Sequence, residues 1–327
     1  MISALLHLFG KLQMDRKPVG AGLCTRPRVM PEYIGGTAYI AIPGGMDLRA
    51  TFECGQAFRW KTIAPGAYEG MAGAHRARIA GTEAGISITP CCGESYEGFW
   101  RHYLDLDGDY AAWARELAGD AALSQAVALC RGMRLLNQPV WECLVSFLLS
   151  SNNNVKRISG IVERLCKCFG KDMGGYFAFP TAEMLAGAGE DNIFACGAGY
   201  RAVYVAEAAG AVAAGFDLEG LPKMGYGAAK KELMKLKGVG EKVADCVLLY
   251  SCGYREAFPV DVWVQRAVEK RFPDAGRTGR EYREFAAKRF GRLAGLAQQY
   301  LFHFERSLKR EGSSCPNIRK SGASPAR

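Results

Sequence analysis

The chain has 327 residues, 49% of them apolar, which is enough for one large hydrophobic core or two ordinary ones. Lys and Arg outnumber Asp and Glu by 42 to 33, a net charge of +9 that favours a polyanionic partner without identifying one. No apolar run reaches the ~18 residues that a membrane span needs, so a membrane protein of that kind is excluded.

Residues 1–35 mix Gly, Pro, Arg and Lys without sustained periodicity and are expected to form a poorly ordered extension. MISALLHLFG is too short and lacks the basic start of a secretory signal. An intracellular location is therefore expected: cytoplasm or nucleoid in a prokaryote, nucleus in a eukaryote. From TAYIAIPGG through ATFECGQAFRWKTI, AYEGMAG, HRARIAG and GISITP, short alternating segments separated by Gly and Pro turns predict an antiparallel sheet. YEGFWRHYLDLDGDYAAWARELAGDAALSQAVALCRG then changes to helical spacing. An antiparallel α+β domain is expected over residues 36–130 and an all-α domain over 131–311. In the second domain Trp141 to Leu149 reads as an apolar helix. SSNNN offers N-caps for the next one, whose stripe is Val155, Ile158, Ile161, Val162, Leu165 and Phe169. Further helices are expected at 182–188, 200–214, 226–236, 241–252, 262–271 and 279–310, and residues 312–327 read as a disordered basic tail.

Several of the twelve cysteines sit inside apolar helical patterns, where a reduced thiol behaves as a small hydrophobe, so a reducing compartment is expected. The close pairs Cys91-Cys92 and Cys166-Cys168 have no partner pair at zinc-ribbon spacing. Only Cys315 follows Cys252, too few thiols for an iron-sulfur loop. No metal and no organic cofactor are expected.

The segment LKGVGEKVADCVLLYSCGYREAFPVDVW carries the chemistry. Two helices flank Lys237-Gly238-Val239-Gly240, a helix-hairpin-helix over 226–252. Its glycines let backbone amides approach an anion, while the second helix presents its positive end to the same anion. A DNA phosphate fits, as does a plain turn between helices. Lys242, in the first turn of that second helix, reads either as a surface lysine binding phosphate or, partly buried beside the helix dipole, as an uncharged nucleophile able to attack an anomeric carbon. Asp261 stands where the next helix starts and is an obvious N-cap. A carboxylate there can also face a reacting sugar and stabilise its oxocarbenium-like form.

Taken together, SSNNNVKRISGIVERLC, GAGYRAVYV, CGQAFRW and GVGEKVADC resemble the 8-oxoguanine DNA glycosylases with abasic-site lyase activity, of the helix-hairpin-helix glycosylase superfamily, over residues 36 to about 310. The resemblance implies a TATA-box-binding-protein-like antiparallel domain followed by a helical glycosylase domain. It also implies a monomeric enzyme that acts on double-stranded DNA containing oxidised guanine, flips the base and cuts the strand by β-elimination. Lys242 matches the Schiff-base nucleophile and Asp261 the catalytic aspartate; Gly238, Gly240 and Val243 match the phosphate-binding hairpin. Gly55 matches the glycine whose carbonyl accepts N7–H of 8-oxoguanine. Cys246 and Phe302 match the residues that sandwich the extruded base, and Gln298 the side chain that reads its edge. Asn152 matches the residue that fills the vacated place in the duplex, Arg157 and Arg201 the pair that read the opposite cytosine, and Tyr200 the wedge. Read locally, Cys246 and Phe302 are core positions, the asparagines helix caps, and Gln298 and Arg201 solvated side chains.

Two positions depart from the pattern. Trp263 replaces a histidine that contacts the backbone beside the lesion, and Glu305 replaces an aspartate. The alternatives left open are a related glycosylase for an oxidised pyrimidine, an alkylated purine or adenine opposite 8-oxoguanine, and a non-catalytic DNA-binding relative. The missing cluster cysteines speak against the iron-sulfur branches, and Lys242 against the alkylpurine branch.

Overall fold

The computed structural model describes residues 29–313; residues 1–28 and 314–327, with most of the expected N-terminal extension and of the basic tail, lie outside it. Six strands, β1 (Glu32–Ile34), β2 (Thr37–Ala41), β3 (Trp60–Ala64), β4 (Ala67–Ala72), β5 (His75–Gly81) and β6 (Gly85–Thr89), form one antiparallel sheet in the order β1-β2-β6-β5-β4-β3. The inner strands β2, β5 and β6 set apolar side chains to one face, as a half-buried sheet must. Ala38, Ile40, Ala77, Ile79, Ile86 and Ile88 are buried, and the register sets Ile88 opposite both Ala38 and Ile79. Tyr96, Trp100 and Tyr103 belong to this core; they come from a helical run made of α2 (Gly93–Ser95), a π-helical turn (Tyr96–Trp100) and α3 (Arg101–Tyr103).

Two details differ from the expectation. Strand β1 lies within the segment read as extension: its three side chains are all exposed, so it has no apolar alternation to reveal it. The ATF of ATFECGQAF belongs to a helix, α1 (Leu48–Phe52), capped by Asp47, whose Oδ1 accepts from the Ala50 amide at 2.8 Å. Five residues are too few to display a helical period.

The remaining helices are α4 (Tyr110–Ala118), α5 (Ser124–Leu129), α6 (Val140–Leu148), α7 (Val155–Phe169), α8 (Ala182–Ile193), α9 (Ala202–Ala213), α10 (Tyr226–Leu233), α11 (Glu241–Ser251), α12 (Val262–Arg271), α13 (Gly279–Phe290) and α14 (Ala294–Ser313). The single helix expected over 279–310 is thus two. Gly291, at φ +51°, caps α13 in a backbone region that L side chains rarely adopt, and a short 3-10 turn starts α14. The boundary expected near residue 130 does not divide the cores. Leu117, Leu123, Ala126, Val127 and Cys130, on and between α4 and α5, pack into the helical core. Spacing shows that a helix has an apolar face; it does not show which core that face joins.

The sheet is fastened to the helices by buried polar contacts. Glu142 on α6 accepts from the Gly73 amide at the β4–β5 turn (2.7 Å) and lies 3.5 Å from the Arg59 guanidinium; burial pushes its carboxyl up while Arg59 opposes that shift. Gln56, fully buried, donates to Thr51 O and Arg134 O and accepts from the Leu136 amide. These bonds fix the loop between α1 and β3 against the helical part, and that loop carries Gly55.

Candidate active site

The helix-hairpin-helix is built as its glycines require. Gly238 has φ +85°, and a Cβ there would come within 2.5 Å of the Tyr204 ring, so both backbone shape and close approach demand glycine. Val239 and Val243 are buried beneath the turn, while Gly238 and Gly240 are exposed. Gly240 begins α11 with no side-chain cap, which leaves the positive end of that helix open to an anion.

Lys242, in the first turn of α11, donates from Nζ to Ser150 Oγ at 2.9 Å and stands 5.2 Å from the Phe147 ring centroid. Asp261 is the N-cap of α12: Oδ1 accepts from the amides of both Trp263 and Val264 at 2.9 Å. Both bonds fall on one oxygen, so the cap does not use Oδ2. Lys242 and Asp261 line the same cavity, of about 250 Å³, together with Gly55, Cys246, Gln298 and Phe302. All six residues that the resemblance places around a lesion therefore line one cavity.

The cavity walls are held firmly. Cys246 lies one helical turn after Lys242 and is 3% exposed; burial pushes its thiol up to about 12 against the opposing pull of Lys242, so it faces the cavity as an uncharged, polarisable surface. Gln298, 3% exposed, has its Oε1 3.5 Å from the Tyr250 hydroxyl oxygen, whose proton is donated to Gln299 beside it. Gly55 has φ +87°, and a Cβ there would meet Arg306, Val155 and Phe302 at 3.3 to 3.7 Å. The carbonyls on either side of it are occupied: Cys54 O accepts from Gln299 and Arg306, and Gln56 O from Gln138. Among the described residues no such bond is made to Gly55 O. Arg306 also lies over the Phe302 ring, 5.1 Å from its centroid.

The residues matched to duplex contacts lie in another environment. Asn152, in the loop between α6 and α7, is exposed and has φ +46°, a left-handed conformation that asparagine tolerates better than most residues. Asn154 is the actual cap of α7, accepting from the Arg157 amide at 2.9 Å, and the Arg157 side chain is exposed. Tyr200 is 55% exposed. Arg201, by contrast, is 3% exposed and committed to that loop: Nε donates to Ser151 O at 2.7 Å, and Nη2 to Ser151 O and to Asn152 O. Here it braces the loop, and the local reading of a solvated charge does not hold for it.

Trp263 forms part of the cavity wall, with Lys309 Nζ 5.1 Å and the Arg266 guanidinium 5.8 Å from its ring centroid. Glu305 pairs with Arg271 at 3.0 Å and with Lys270 at 3.8 Å. Two further residues join these elements. Ser150 carries no distinguishing spacing, and only the fold brings it to Lys242. Asp245, on the lysine's own helix, is fully buried; it accepts from Tyr226 Oη at 2.6 Å and pairs with Lys230 at 2.9 Å, joining the two helices of the hairpin. A charged residue within an otherwise apolar helical run was the signal available for it.

Among the described residues no helix is long and apolar enough to cross a membrane. Two family models match adjoining parts of the chain: the N-terminal domain of 8-oxoguanine DNA glycosylase over residues 40–144, and the HhH-GPD superfamily of base excision DNA repair proteins over residues 145–292. The N-glycosylase/DNA lyase OGG1 of Arabidopsis thaliana is 33% identical over 282 residues, 79% of this chain and 76% of that protein. A probable N-glycosylase/DNA lyase of Methanothermobacter thermautotrophicus is 33% identical over 211 residues, 57% of this chain and 68% of that protein. Among solved structures, Clostridium acetobutylicum 8-oxoguanine glycosylase/lyase in complex with double-stranded DNA containing cytosine opposite 8-oxoguanine superimposes with a TM-score of 0.82 at 32% identity, covering 86% of this chain and 98% of that one. MBOgg1 in complex with a low-affinity DNA ligand gives 0.83 at 35% identity, covering 86% and 100%. With its six-stranded antiparallel domain, its hairpin and its lysine-bearing cavity, the chain belongs to the 8-oxoguanine DNA glycosylase/lyase family of HhH-GPD base-excision repair enzymes.

Proposed function

We propose that this enzyme binds double-stranded DNA, extrudes 8-oxoguanine from its pair with cytosine into the cavity, and removes it with Lys242 as the nucleophile. The Nζ lone pair attacks the sugar C1′ while the C1′–N9 bond breaks and its electron pair leaves with the base, which takes up a proton. The sugar ring then opens to a Schiff base on Lys242. Loss of a C2′ proton from that imine expels the 3′ phosphate by β-elimination, so the strand is nicked on the 3′ side. Asp261, with Oδ2 free of the cap, stabilises positive charge at the sugar as the base departs.

Selectivity follows from one proton. Gly55 O, which no described residue engages between two occupied carbonyls, accepts the N7–H of 8-oxoguanine; undamaged guanine offers a lone pair at N7 and leaves two acceptors facing each other. Cys246 and Phe302 flank the base and Gln298 reads its edge. Asn152 fills the vacated place in the duplex, Tyr200 wedges the stack, Arg157 reads cytosine, and Gly238, Gly240 and Val243 seat a phosphate. Arg201 joins in reading cytosine on this proposal only by giving up bonds to the loop backbone.

The convergence of Lys242, Asp261, Cys246, Phe302, Gln298 and Gly55 on one cavity is the observation that carries this reading. Its test is borohydride trapping on duplexes that vary lesion and opposite base. An adduct is expected with 8-oxoguanine opposite cytosine. Lys242→Gln is expected to abolish it and to slow excision on the order of 10³-fold or more. An adduct that persists in that variant would move the nucleophile elsewhere.

A further inference from the structure

Around Lys242 one contact is directional. Ser150 Oγ lies 2.7 Å from Phe147 O, to which it donates its only proton, and 2.9 Å from Lys242 Nζ, from which it therefore accepts. With its proton on Phe147 O, the hydroxyl holds one N–H of the lysine and leaves other directions of the nitrogen for the cavity.

Ser150 also begins the loop that carries Asn152. The neighbouring carbonyls of Ser151 and Asn152 are held by Arg201, Tyr200 Oη donates to Ser151 O at 3.3 Å, and Asn153 Nδ2 donates to Leu149 O at 3.0 Å. The loop is thus braced by Arg201 and Tyr200 on one side and joined to the lysine on the other, with Asn152 exposed and left-handed between them.

We propose that Ser150 is a positioning residue for Lys242: it aims the amine into the cavity and fastens the nucleophile to the loop that enters the duplex, so that seating the loop and aligning the lysine are one event. The inference rests on Lys242 being the nucleophile. Misplacing a reacting atom by about 1 Å costs on the order of a hundredfold in rate. Loss of this hydroxyl is accordingly expected to slow the chemistry without weakening DNA binding.

The experiment uses the full chain with Ser150→Ala and Ser150→Thr. Four quantities are compared: single-turnover excision from an 8-oxoguanine–cytosine duplex, strand cleavage at a preformed abasic site, affinity for a duplex carrying a tetrahydrofuran abasic analogue, and melting temperature. For Ser150→Ala both rates should fall about ten- to a hundredfold, with affinity within about twofold of the parent; Ser150→Thr, which keeps the hydroxyl, should recover most of the loss. Parental rates in Ser150→Ala would overturn the proposal. So would a defect confined to the lesion duplex, because cleavage at an abasic site needs the same amine but no base extrusion. A loss of affinity matching the loss of rate would overturn it as general damage, and a stable threonine variant as slow as alanine would reject the acceptor role. If the parent forms no borohydride adduct, or Lys242→Gln still forms one, the underlying reading fails; if only the serine variants behave as the parent, this inference alone fails.

Discussion

Inside the cavity, Cys246 and Gln298 are each 3% exposed, and the carbonyls that flank Gly55 are held by side chains from elsewhere in the fold. Along the edge matched to duplex contacts, Asn152 and Arg157 are exposed and Tyr200 is 55% exposed. On the proposed roles, the difference follows from what each region must do. A pocket that distinguishes two bases by one proton has to hold its acceptor and its walls before the base arrives, since reorganisation would consume the discrimination. Side chains that enter a stacked duplex meet a partner that is itself deformed on contact, so holding them rigid beforehand gains little. Arg201 belongs to the second group by its matched role and to the first by its burial, which places it where the two regions are coupled.

The comparison is broken most severely through Asp245. Removing its carboxylate strands Lys230 and Tyr226 under the hairpin, and Asp245→Ala should cost about 3–5 kcal/mol in a denaturant titration. Burial is the leading influence on both members of this pair, raising the Asp245 carboxyl and lowering the Lys230 amine against their mutual attraction. Replacing both by apolar residues, Asp245→Leu with Lys230→Met, should therefore cost far less than the single change. With the folded carboxyl raised, Asp245 contributes a stability that falls as pH climbs from the ordinary carboxylate range through the raised value, and levels off above it.

Next in size is Asp261→Asn, which keeps an N-cap oxygen but removes the charge. Excision should fall about 10²–10³-fold, while the melting temperature stays close to the parent's. Asp261→Ala should in addition lose about 1 kcal/mol of stability with the cap. Equal excision rates in the parent and in the Asp261→Asn variant would leave Asp261 a cap only. The smallest effect belongs to the exposed edge: Arg157→Ala should cost about 1–3 kcal/mol in discrimination between cytosine and the other opposite bases, read from excision rates on four duplexes. It should alter selectivity more than the rate on the cytosine pair, and unchanged selectivity would remove Arg157 from that role.

Much of this was legible in the sequence because local rules act on it. Alternation marked β2 and β4 to β6, and the glycines of GVG marked the hairpin through backbone shapes that other residues rarely adopt. Most of the expected helices appear near their expected bounds, from 226–236 against Tyr226–Leu233 to 262–271 against Val262–Arg271. What escaped was decided by tertiary contact. Leu123 and Val127 join a core that no spacing identifies, Ser150 meets a lysine 92 positions away, and Arg201, a charge beside an exposed tyrosine, is buried by the loop it supports. Charged side chains in a single sequence look solvated until the fold supplies acceptors for them.

Gly55 and Lys242 reach one cavity from opposite ends of the architecture, the glycine on a loop leading into the sheet and the lysine on a helix of the hairpin. On the proposed roles, the acceptor that tells the lesion from guanine and the nucleophile that breaks the bond are thereby inherited on separate pieces of chain. Loss of that acceptor should blur the choice between lesion and guanine while the reaction stays intact, and loss of the lysine should silence the reaction while Gly55 still meets the base; Cys246, on the lysine's own helix, belongs to both tasks.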